Sequence, residues 1–588
     1  MDKFCGKKDK IINIAMIAVL FLYPLRHIFH GVDLWDTGYN YANFTYMENM
    51  DSMWYFSTFL ANIVGNVLTK LPFGDTYVGL NLYTGLSVSV LALLGFWFAV
   101  KVVGVPRWVA FWGGFLAICF SWCPTALLYN YMTYLFLGIA VVFLYLALVE
   151  ESKYTRLYFV LAGICLGLNI FVRFSNLAQA AMILAVWAMA IIRREKFGKV
   201  VSQTITCLAG YLLGLGLGFA FVEVRGGAMN YINGIVRLMS MPSEASDYTI
   251  YSMIYSQIHY YLINLKGYAC FAVLVVVGIL IYRAIPKRWK VIAAIIYVCA
   301  IVELFVIFYE IGVYSLDYHN LHSVFQWAGF LLVAIHLMGI VVIFGKNFSD
   351  KEKLLCGLNM LVVLLTPLGS NNHLFSAMNN LYLAAPIALW MIWRFVRWLP
   401  ENVTVKRFSF SSRPVGILIC AVVVFLTFQS LLMSNTYVFI KPTDGKEYNT
   451  AVQGNDVLRW VKTDEERAAQ LSEISQFALE NDLKGREVLL YGWIPSLSFY
   501  LEMPYVLSPW PDLPSYNLTV MTEAMKELWG DIDEKGRECP VIILSQDVKL
   551  NGSQEPKEQL IQEMIEKYEY KVAFENELFV LFMTDTEI

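Results

Sequence analysis

The stretch HGVDLWDTGY, residues 30–39, follows directly on an apolar run that starts at Ile11 and fades by Ile28. It places two acids, Asp33 and Asp36, beside a segment that is apolar enough to enter a bilayer. Carboxylates next to a membrane are costly unless they have partners or a chemical role. The stretch therefore predicts both a first membrane helix and a functional site where the chain leaves that helix.

The composition of the whole chain is typical of a polytopic membrane protein. Of its 588 residues, 58% are hydrophobic and 15% are charged, and the mean hydropathy is +0.55. Soluble proteins have about 45–50% apolar and about 25% charged residues. The net charge of −3 argues against a nucleic-acid partner. The ten cysteines show no CxxC spacing, so neither a disulfide framework nor a thiolate metal site is expected.

Thirteen apolar runs are candidates for membrane spans, each near the roughly 17–20 residues that cross a bilayer. They start near Ile11, Tyr77, Trp108, Leu128, Leu157, Leu177, Val201, Tyr268, Val291, Ser323, Leu354, Leu381 and Pro414. With the N-terminus inside, the cytoplasmic segments hold 24 basic residues and the outer segments six. This bias satisfies the positive-inside rule and predicts that the N-terminus is cytoplasmic and the C-terminus extracytoplasmic.

The predicted spans divide the chain into a membrane domain, residues 1–433, and a soluble extracytoplasmic α/β domain, residues 434–588. Two long outer loops are predicted at about 29–76 and 223–267. Apolar residues recur at helical spacing over 50–71, which predicts an amphipathic helix along the membrane surface. Beyond 434, the patterns predict helices over 464–480, 522–535 and 556–567, and strands over 487–492, 540–545 and 571–583.

Several spans contribute polar residues at the predicted outer surface. Arg173 closes the fifth span in FVRFSN, and SLDYHNLH (315–322) offers His319 and His322 at weak metal-ligand spacings. Each of these residues has a structural alternative. Asp36 is also suited to cap a helix beginning at Thr37, Arg173 to reach the interface from a helix end, and each histidine to serve as an interfacial residue.

The sequence resembles the C-type membrane glycosyltransferases, which include protein mannosyltransferases, the aminoarabinose transferase of lipid A and oligosaccharyltransferase catalytic subunits. The resemblance rests on thirteen spans, DLWDTGY after the first span, a surface helix in the first loop and a C-terminal α/β domain. It is carried by LRHIFHGVDLWDTGYNYANF (25–44) and YGWIPSLSFYLEMPYVLSPW (491–510). Family members often have Asp-Glu in the first loop, whereas Thr37 follows Asp36 here. The absence of a W-W-D-Y-G-type block argues against en bloc transfer to asparagine.

The resemblance implies a bacterial hexosyltransferase in the cytoplasmic membrane that moves a sugar from a polyprenyl-phosphate donor to an envelope acceptor on the outer face. Asp36, with Asp33 second, is then the expected general base. In a metal-using variant, Asp36 would instead bind Mg²⁺ or Mn²⁺ with His319 and His322. Arg173 is expected to bind the leaving phosphate. The further substrate-binding candidates are Trp35, Tyr39, Tyr131, Asn176, Arg225, Arg237 and His373.

Three other functions remain open from the sequence. A transporter or flippase usually has internal repeats and charged residues near the bilayer midplane, and here Glu303 is the main example of such a charge. An envelope polysaccharide polymerase or ligase usually relies on arginines in large loops and lacks a C-terminal α/β domain. A non-catalytic assembly protein on the same scaffold is the third alternative.

Overall fold

The chain folds into a helical membrane part followed by a smaller mixed α/β region. The computed structural model describes residues 7–149, 152–240, 250–315, 321–368, 373–405, 408–436, 446–550 and 553–584. Within these ranges, nine helices are long and apolar enough to cross a membrane. The fold is therefore that of a multi-pass membrane protein.

Helices make up most of the described residues up to position 436. They are α1 (Lys7–Leu22), α2 (Asp36–Thr45), α3 (Ser52–Ser57), α4 (Phe59–Thr69), α5 (Tyr77–Trp97), α6 (Arg107–Phe120), α7 (Leu128–Val149), α8 (Thr155–Val172), α9 (Leu184–Arg193), α10 (Phe197–Arg225), α11 (Ala228–Ser240), α12 (Ile250–Ala284), α13 (Lys290–Glu310), α14 (Leu321–Phe344), α15 (Asp350–Leu365), α16 (Phe375–Met378), α17 (Ala384–Trp398) and α18 (Arg413–Thr436).

A helix lies at each of the thirteen predicted spans. The sixth is a 3-10 segment, Phe174–Ile183, that continues into α9. Four of them, α1, α6, α15 and α17, have only 14 to 16 residues. Because these four are shorter than a typical span, thirteen crossings and the resulting topology stay predictions.

Two outer segments differ from the predictions. The single surface helix over 50–71 is broken into α3 and α4 at Thr58, whose φ of −130° and ψ of 36° are not helical. On its predicted apolar face, Phe56, Phe59 and Ile63 are buried within the protein, and the position of this segment along the membrane stays a prediction. The predicted loop over 223–267 is largely helical where it is described, since α11 lies within it and α12 begins at Ile250. Tyr231 of α11 packs against Phe56, with ring centroids 5.5 Å apart. Residues 241–249 lie outside the described ranges.

The C-terminal region contains a four-stranded sheet. Its strands, in spatial order, are β5 (Val488–Tyr491), β6 (Val541–Ser545), β8 (Phe579–Thr584) and β7 (Tyr570–Glu575). β5 and β6 are parallel, and the other pairings are antiparallel. The predicted helices and strands all form. Two further strand pairs, β1-β2 and β3-β4, were not predicted. The elements are β1 (Asn402–Val405), β2 (Phe408–Ser411), β3 (Thr450–Ala451), β4 (Lys462–Thr463), α19 (Glu465–Glu480), β5 (Val488–Tyr491), α20 (Leu497–Tyr500), α21 (Leu518–Lys535), β6 (Val541–Ser545), α22 (Pro556–Lys567), β7 (Tyr570–Glu575) and β8 (Phe579–Thr584).

The C-terminal region and the first outer loop share one hydrophobic core. Tyr41 and Phe44 of α2 are buried in the same cluster as Val488 and Tyr500. Backbone hydrogen bonds also join the two parts, including one of 2.7 Å from the Gly31 amide to the Lys462 carbonyl. The loop that carries the two aspartates is therefore positioned by the C-terminal region as well as by the membrane helices.

Candidate active site

The two aspartates of the first loop have different surroundings. The Asp33 carboxylate accepts hydrogen bonds from the backbone amides of Trp35 (2.9 Å) and Thr37 (2.8 Å). It thereby satisfies donors that a helix start leaves unpaired. Helix α2 begins at Asp36 itself, so Trp35 and not Asp36 is the residue that precedes the first helical residue. The alternative in which Asp36 caps a helix beginning at Thr37 is therefore wrong, and Asp33 has that role.

The Asp36 carboxylate is half-buried and accepts no hydrogen bond from the residues that the structure describes. Burial raises the pKa of Asp36 from 3.8 to about 7, and the negative charge of Asp33 adds to the effect. A carboxylate with a pKa near the working pH and free acceptor oxygens is suited to general-base catalysis. The role of Asp36 as the general base, which the resemblance implies, stays a prediction.

A small cavity lies where helices α6 and α8 end and helix α7 begins. Its lining residues are Trp122, Cys123, Tyr129, Asn130, Tyr134, Arg173, Ser376 and Asn379. Burial raises the pKa of the Cys123 thiol to about 12, with Asp36 raising it further and Arg173 lowering it. Both charges therefore act on one thiol in the cavity wall.

Arg173 is oriented toward this cavity by the end of helix α8. Its backbone is extended, with φ of −156° and ψ of 124°, so the chain leaves the helix axis at this residue. The guanidinium carbon lies 5.4 Å from the ring centroid of Tyr129, in cation–π geometry. The sequence prediction that Arg173 closes its span at the outer side is consistent with this position.

A larger cavity, with about 110 Å³ of space for water, shares Trp122 and Cys123 with the small one. Arg26 lines it and donates to the carbonyls of Ser434 (2.9 and 2.6 Å) and Tyr23 (3.1 Å). In the part of the chain that the structure describes, no carboxylate pairs with Arg26. Sequence reasoning missed this residue, although an arginine at the end of the first apolar run was the available signal.

Two residues that line the larger cavity carry donors without a partner in the described part of the chain. The buried Asn81 Nδ2 and Trp122 Nε1 have no hydrogen-bond partner among the described residues. Burial and the neighbouring Arg26 lower the pKa of His27 to about 4, so its ring is neutral at pH 7. A cavity with one guanidinium and unpaired N–H donors is suited to an anion with several acceptor oxygens, such as a phosphate.

Two predicted substrate-binding residues, Trp35 and Tyr39, belong to a cluster of four aromatic rings. The Trp35 ring contacts that of Trp493 at 5.3 Å between centroids, and Trp493 contacts Trp510 at 5.3 Å. Tyr39 contacts Trp510 at 5.9 Å, which closes the set. We call these four residues the aromatic platform. It joins α2 to the loops of the C-terminal region.

Tyr131 and Asn176 are held by other side chains and backbone groups. The Tyr131 hydroxyl donates to the Cys123 carbonyl at 2.6 Å, and its ring lines the larger cavity. The Asn176 amide donates to Thr133 Oγ1 at 2.7 Å and accepts from Gln179 at 3.1 Å. Both residues fix the helices around the site, and direct contact with substrate stays a prediction for each.

Three further residues predicted to bind substrate, Arg225, Arg237 and His373, lie in separate environments. Arg237 forms ion pairs with Asp51 (3.0 Å) and Glu523 (3.2 Å), which tie α11 to α3 and α21. Arg225 is exposed at the end of α10, with its guanidinium 6.0 Å from the Phe221 ring. His373 stacks on Tyr260 with centroids 4.6 Å apart, and its buried Nδ1 has no partner among the described residues.

The predicted metal site is not assembled in the described ranges. Within them, no three His, Cys, Asp or Glu side chains lie close enough together to hold a metal ion. His319 lies outside these ranges, and His322 is exposed. The Asp33 oxygens are occupied by backbone amides, which leaves Asp36 as the single available carboxylate in this motif. No step of the chemistry below is therefore assigned to a metal.

A comparison with solved structures finds distant similarities that cover most of the chain. The structure is similar to ArnT from Cupriavidus metallidurans bound to undecaprenyl phosphate, with 14% identity, a TM-score of 0.43 and 98% of each chain covered. It is also similar to the archaeal oligosaccharyltransferase AglB from Archaeoglobus fulgidus, with 12% identity and a TM-score of 0.44. That match covers 92% of this chain and 70% of AglB.

No protein-family model and no curated protein matches the chain. At such low identity, no residue role is transferred from either structure. The roles proposed next come from the contacts and charges of this chain.

Proposed function

We propose that the protein is a membrane glycosyltransferase that moves a sugar from a polyprenyl-phosphate-linked donor to an envelope acceptor. The acceptor is a lipid, a polymer or a protein on the outer face of the cytoplasmic membrane, and the sugar is a hexose or a related pyranose. The observation that carries the proposal is the Asp36 carboxylate. It is free of hydrogen bonds from described residues and lies beside cavities whose charged groups are arginines.

The proposed reaction needs a base for the acceptor hydroxyl. Asp36 takes the proton of that hydroxyl, and the resulting oxygen attacks the anomeric carbon of the donor sugar. The bond between that carbon and the phosphate oxygen breaks, and the electron pair leaves with the phosphate. A pKa of about 7 lets Asp36 be ionised at neutral pH while it remains basic enough to accept the proton.

The departing phosphate needs positive charge and N–H donors. Arg173 lines the small cavity, and its charge acts on the same Cys123 thiol as the charge of Asp36. Arg26, Asn81 and Trp122 supply donors in the adjoining larger cavity. Guanidinium groups bind phosphate through paired N–H donors and stabilise the charge that develops on the leaving oxygen.

The test follows radiolabelled sugar released from polyprenyl phosphate in membranes that contain the full chain. A panel of lipid-linked sugars is compared for the wild type, Asp36→Asn and Asp75→Asn. Asp75 is an exposed acid of the same outer loop and lies 3.7 Å from Arg459. It is therefore a matched control for the loss of one outer carboxylate.

Transfer in the wild type and in Asp75→Asn, with retention of label on the lipid in Asp36→Asn, would support the proposal. Equal transfer by all three proteins would remove Asp36 from its role and direct attention to Asp33. If no protein releases label from any donor of the panel, the glycosyltransferase proposal fails and a transporter becomes the better interpretation.

A further inference from the structure

We infer that the aromatic platform, formed by Trp35, Tyr39, Trp493 and Trp510, binds a pyranose ring of a carbohydrate acceptor. This inference rests on the proposed function, since it names the acceptor class of the same site. It assigns a binding role to Trp493 and Trp510, which belong to the C-terminal region. Their partners Trp35 and Tyr39 flank Asp36 on the first outer loop.

The first support is the exposure of Trp493. This indole is 55% exposed, although the residues after it, Ile494 and Leu497, are fully buried. The loop is thus well packed, and one large apolar ring points out of it. An exposed indole in an ordered loop usually marks a contact surface. Trp493 is therefore the part of the platform that a ligand reaches.

The second support is the rigidity of the turn that carries Trp493. Gly492 follows strand β5 with φ of +97°, a conformation that favours glycine. A Cβ at this position would lie 2.5 Å from the Ser545 Cβ on neighbouring β6. The Ile494 amide then donates to the Gly492 carbonyl at 2.8 Å. The backbone therefore fixes the direction of Trp493 before any ligand binds, which lowers the entropic cost of binding.

The third support is the way the other rings hold the exposed one. Trp35 and Trp510 both contact Trp493 in edge geometry, with interplanar angles of 64° and 77°. Trp510 is only 5% exposed, and its Nε1 donates to Asp512 Oδ2 at 3.2 Å. With these two contacts made, Trp493 is still 55% exposed, so part of its ring stays open to a ligand. Such an open, flat face suits the C–H groups of a pyranose ring, which the negative aromatic face attracts.

The fourth support is the direct link between the platform and the candidate base. Ser496, three residues after Trp493, donates from its hydroxyl to the Asp33 carbonyl at 2.8 Å. Its amide donates to the Leu34 carbonyl at 3.2 Å. The loop with Trp493 is therefore bound to the loop with Asp36. A sugar stacked on Trp493 lies on the water-facing side of this junction, whereas the lipid-linked donor enters from the membrane side.

The experiment uses the purified full chain in lipid nanodiscs and saturation-transfer NMR. The probes are methyl α-mannopyranoside, methyl β-glucopyranoside and diacetylchitobiose, with a serine-rich peptide as the non-carbohydrate probe. The proteins are the wild type, Trp493→Ala, Asp36→Asn and Trp460→Ala. Trp460 is 52% exposed and packs on Phe73 at 5.6 Å, so it controls for the loss of an exposed indole elsewhere.

The expected result is a ring-proton signal from at least one sugar in the wild type and in Trp460→Ala. In Trp493→Ala the affinity should fall by about tenfold, which corresponds to about 1.4 kcal/mol. Asp36→Asn should retain the signal, because it removes the base and leaves the platform. Sugar binding that persists in Asp36→Asn separates this inference from the catalytic proposal, since either one could fail alone.

Three results would overturn the inference. The first is equal sugar binding by the wild type and Trp493→Ala, and the second is binding of the peptide alone. The third is quenching of tryptophan fluorescence by brominated lipids that disappears in Trp493→Phe, because the indole would then lie in the membrane interface. A folded Trp493→Ala protein is confirmed by its unfolding temperature, with Trp493→Phe as a less severe second variant.

Discussion

Replacing Asp36 with asparagine should remove sugar transfer and at the same time make the protein more stable at neutral pH. The reason is that the site holds a carboxylate in surroundings that disfavour its charge. Its pKa is raised from 3.8 to about 7, chiefly by burial and then by Asp33. Asparagine has nearly the same shape and no charge, so the replacement removes the electrostatic penalty and leaves the packing intact.

The sign and size of the effect follow from the two pKa values of Asp36. The folded state has the higher value, so the unfolded chain loses this proton first as the pH rises. Wild-type stability therefore decreases from about pH 4 until the folded carboxyl also ionises near pH 7. A pKa that moves from 3.8 to about 7 corresponds to about 4 kcal/mol at pH 8. Asp36→Asn should gain up to that amount at pH 8 and little at pH 4.

The assay is thermal unfolding of both proteins in one detergent between pH 4 and pH 8. The difference between the two unfolding temperatures isolates Asp36, because all other titrating groups are common to both proteins. This difference should grow with pH and reach several degrees near pH 8. A difference that is constant with pH, or a mutant that is less stable at pH 8, would refute the argument that Asp36 is a desolvated base.

Three further predictions concern the surroundings of Asp36. Gly38→Ala should destabilise the protein by about 1–3 kcal/mol in thermal unfolding, because the added Cβ would overlap Ser496. Gly198→Ala is the control, because a Cβ there has open space in helix α10, and it should not destabilise the protein. Equal stability of the two variants would contradict the close approach of Gly38 to Ser496. Tyr500→Phe removes a hydrogen bond to the Asp33 carbonyl and should cost about 1 kcal/mol in the same measurement. It should also lower kcat more than it changes the donor KM, because this bond positions the loop that carries the base. An unchanged kcat would show that the bond does not position the base. Arg173→Lys should raise the donor KM by about tenfold in steady-state transfer assays, since the paired N–H donors are lost while the charge is kept. Arg459→Lys changes an arginine whose side chain is 40% exposed, and it should have the wild-type KM. Equal KM values for the two variants would argue against phosphate binding by Arg173.

The sequence predicted the elements whose signals are local. Apolar length located a helix at each expected span, and alternation of charged and apolar residues located α19, α21, α22 and the strands of the main sheet. The acidic motif was also found from its position after the first apolar run. These features depend on residues within one helix or one strand, so a single sequence contains them completely.

The features that sequence reasoning missed depend on contacts between distant parts of the chain. Arg26 bonds to the Ser434 carbonyl, 408 residues later, and only this contact shows that its charge is buried beside a cavity. The division of labour between Asp33 and Asp36 depends on which residue begins α2, and helix boundaries are the least certain part of a sequence prediction. The aromatic platform likewise combines Trp35 with Trp493 and Trp510, which no local pattern links.

The C-terminal region therefore has a more direct part in the site than a cover over it. Ser496 and Tyr500 both donate to the Asp33 carbonyl, while the Asp33 carboxylate holds the first amides of α2. Asp33 is thus used to fix the backbone. Asp36, three residues further along the chain, is partly buried and accepts no hydrogen bond from the described residues. That arrangement raises the pKa of Asp36 to about 7, a value that suits the base the proposed reaction needs. It also explains why the soluble region and the first outer loop must fold against each other for the site to exist.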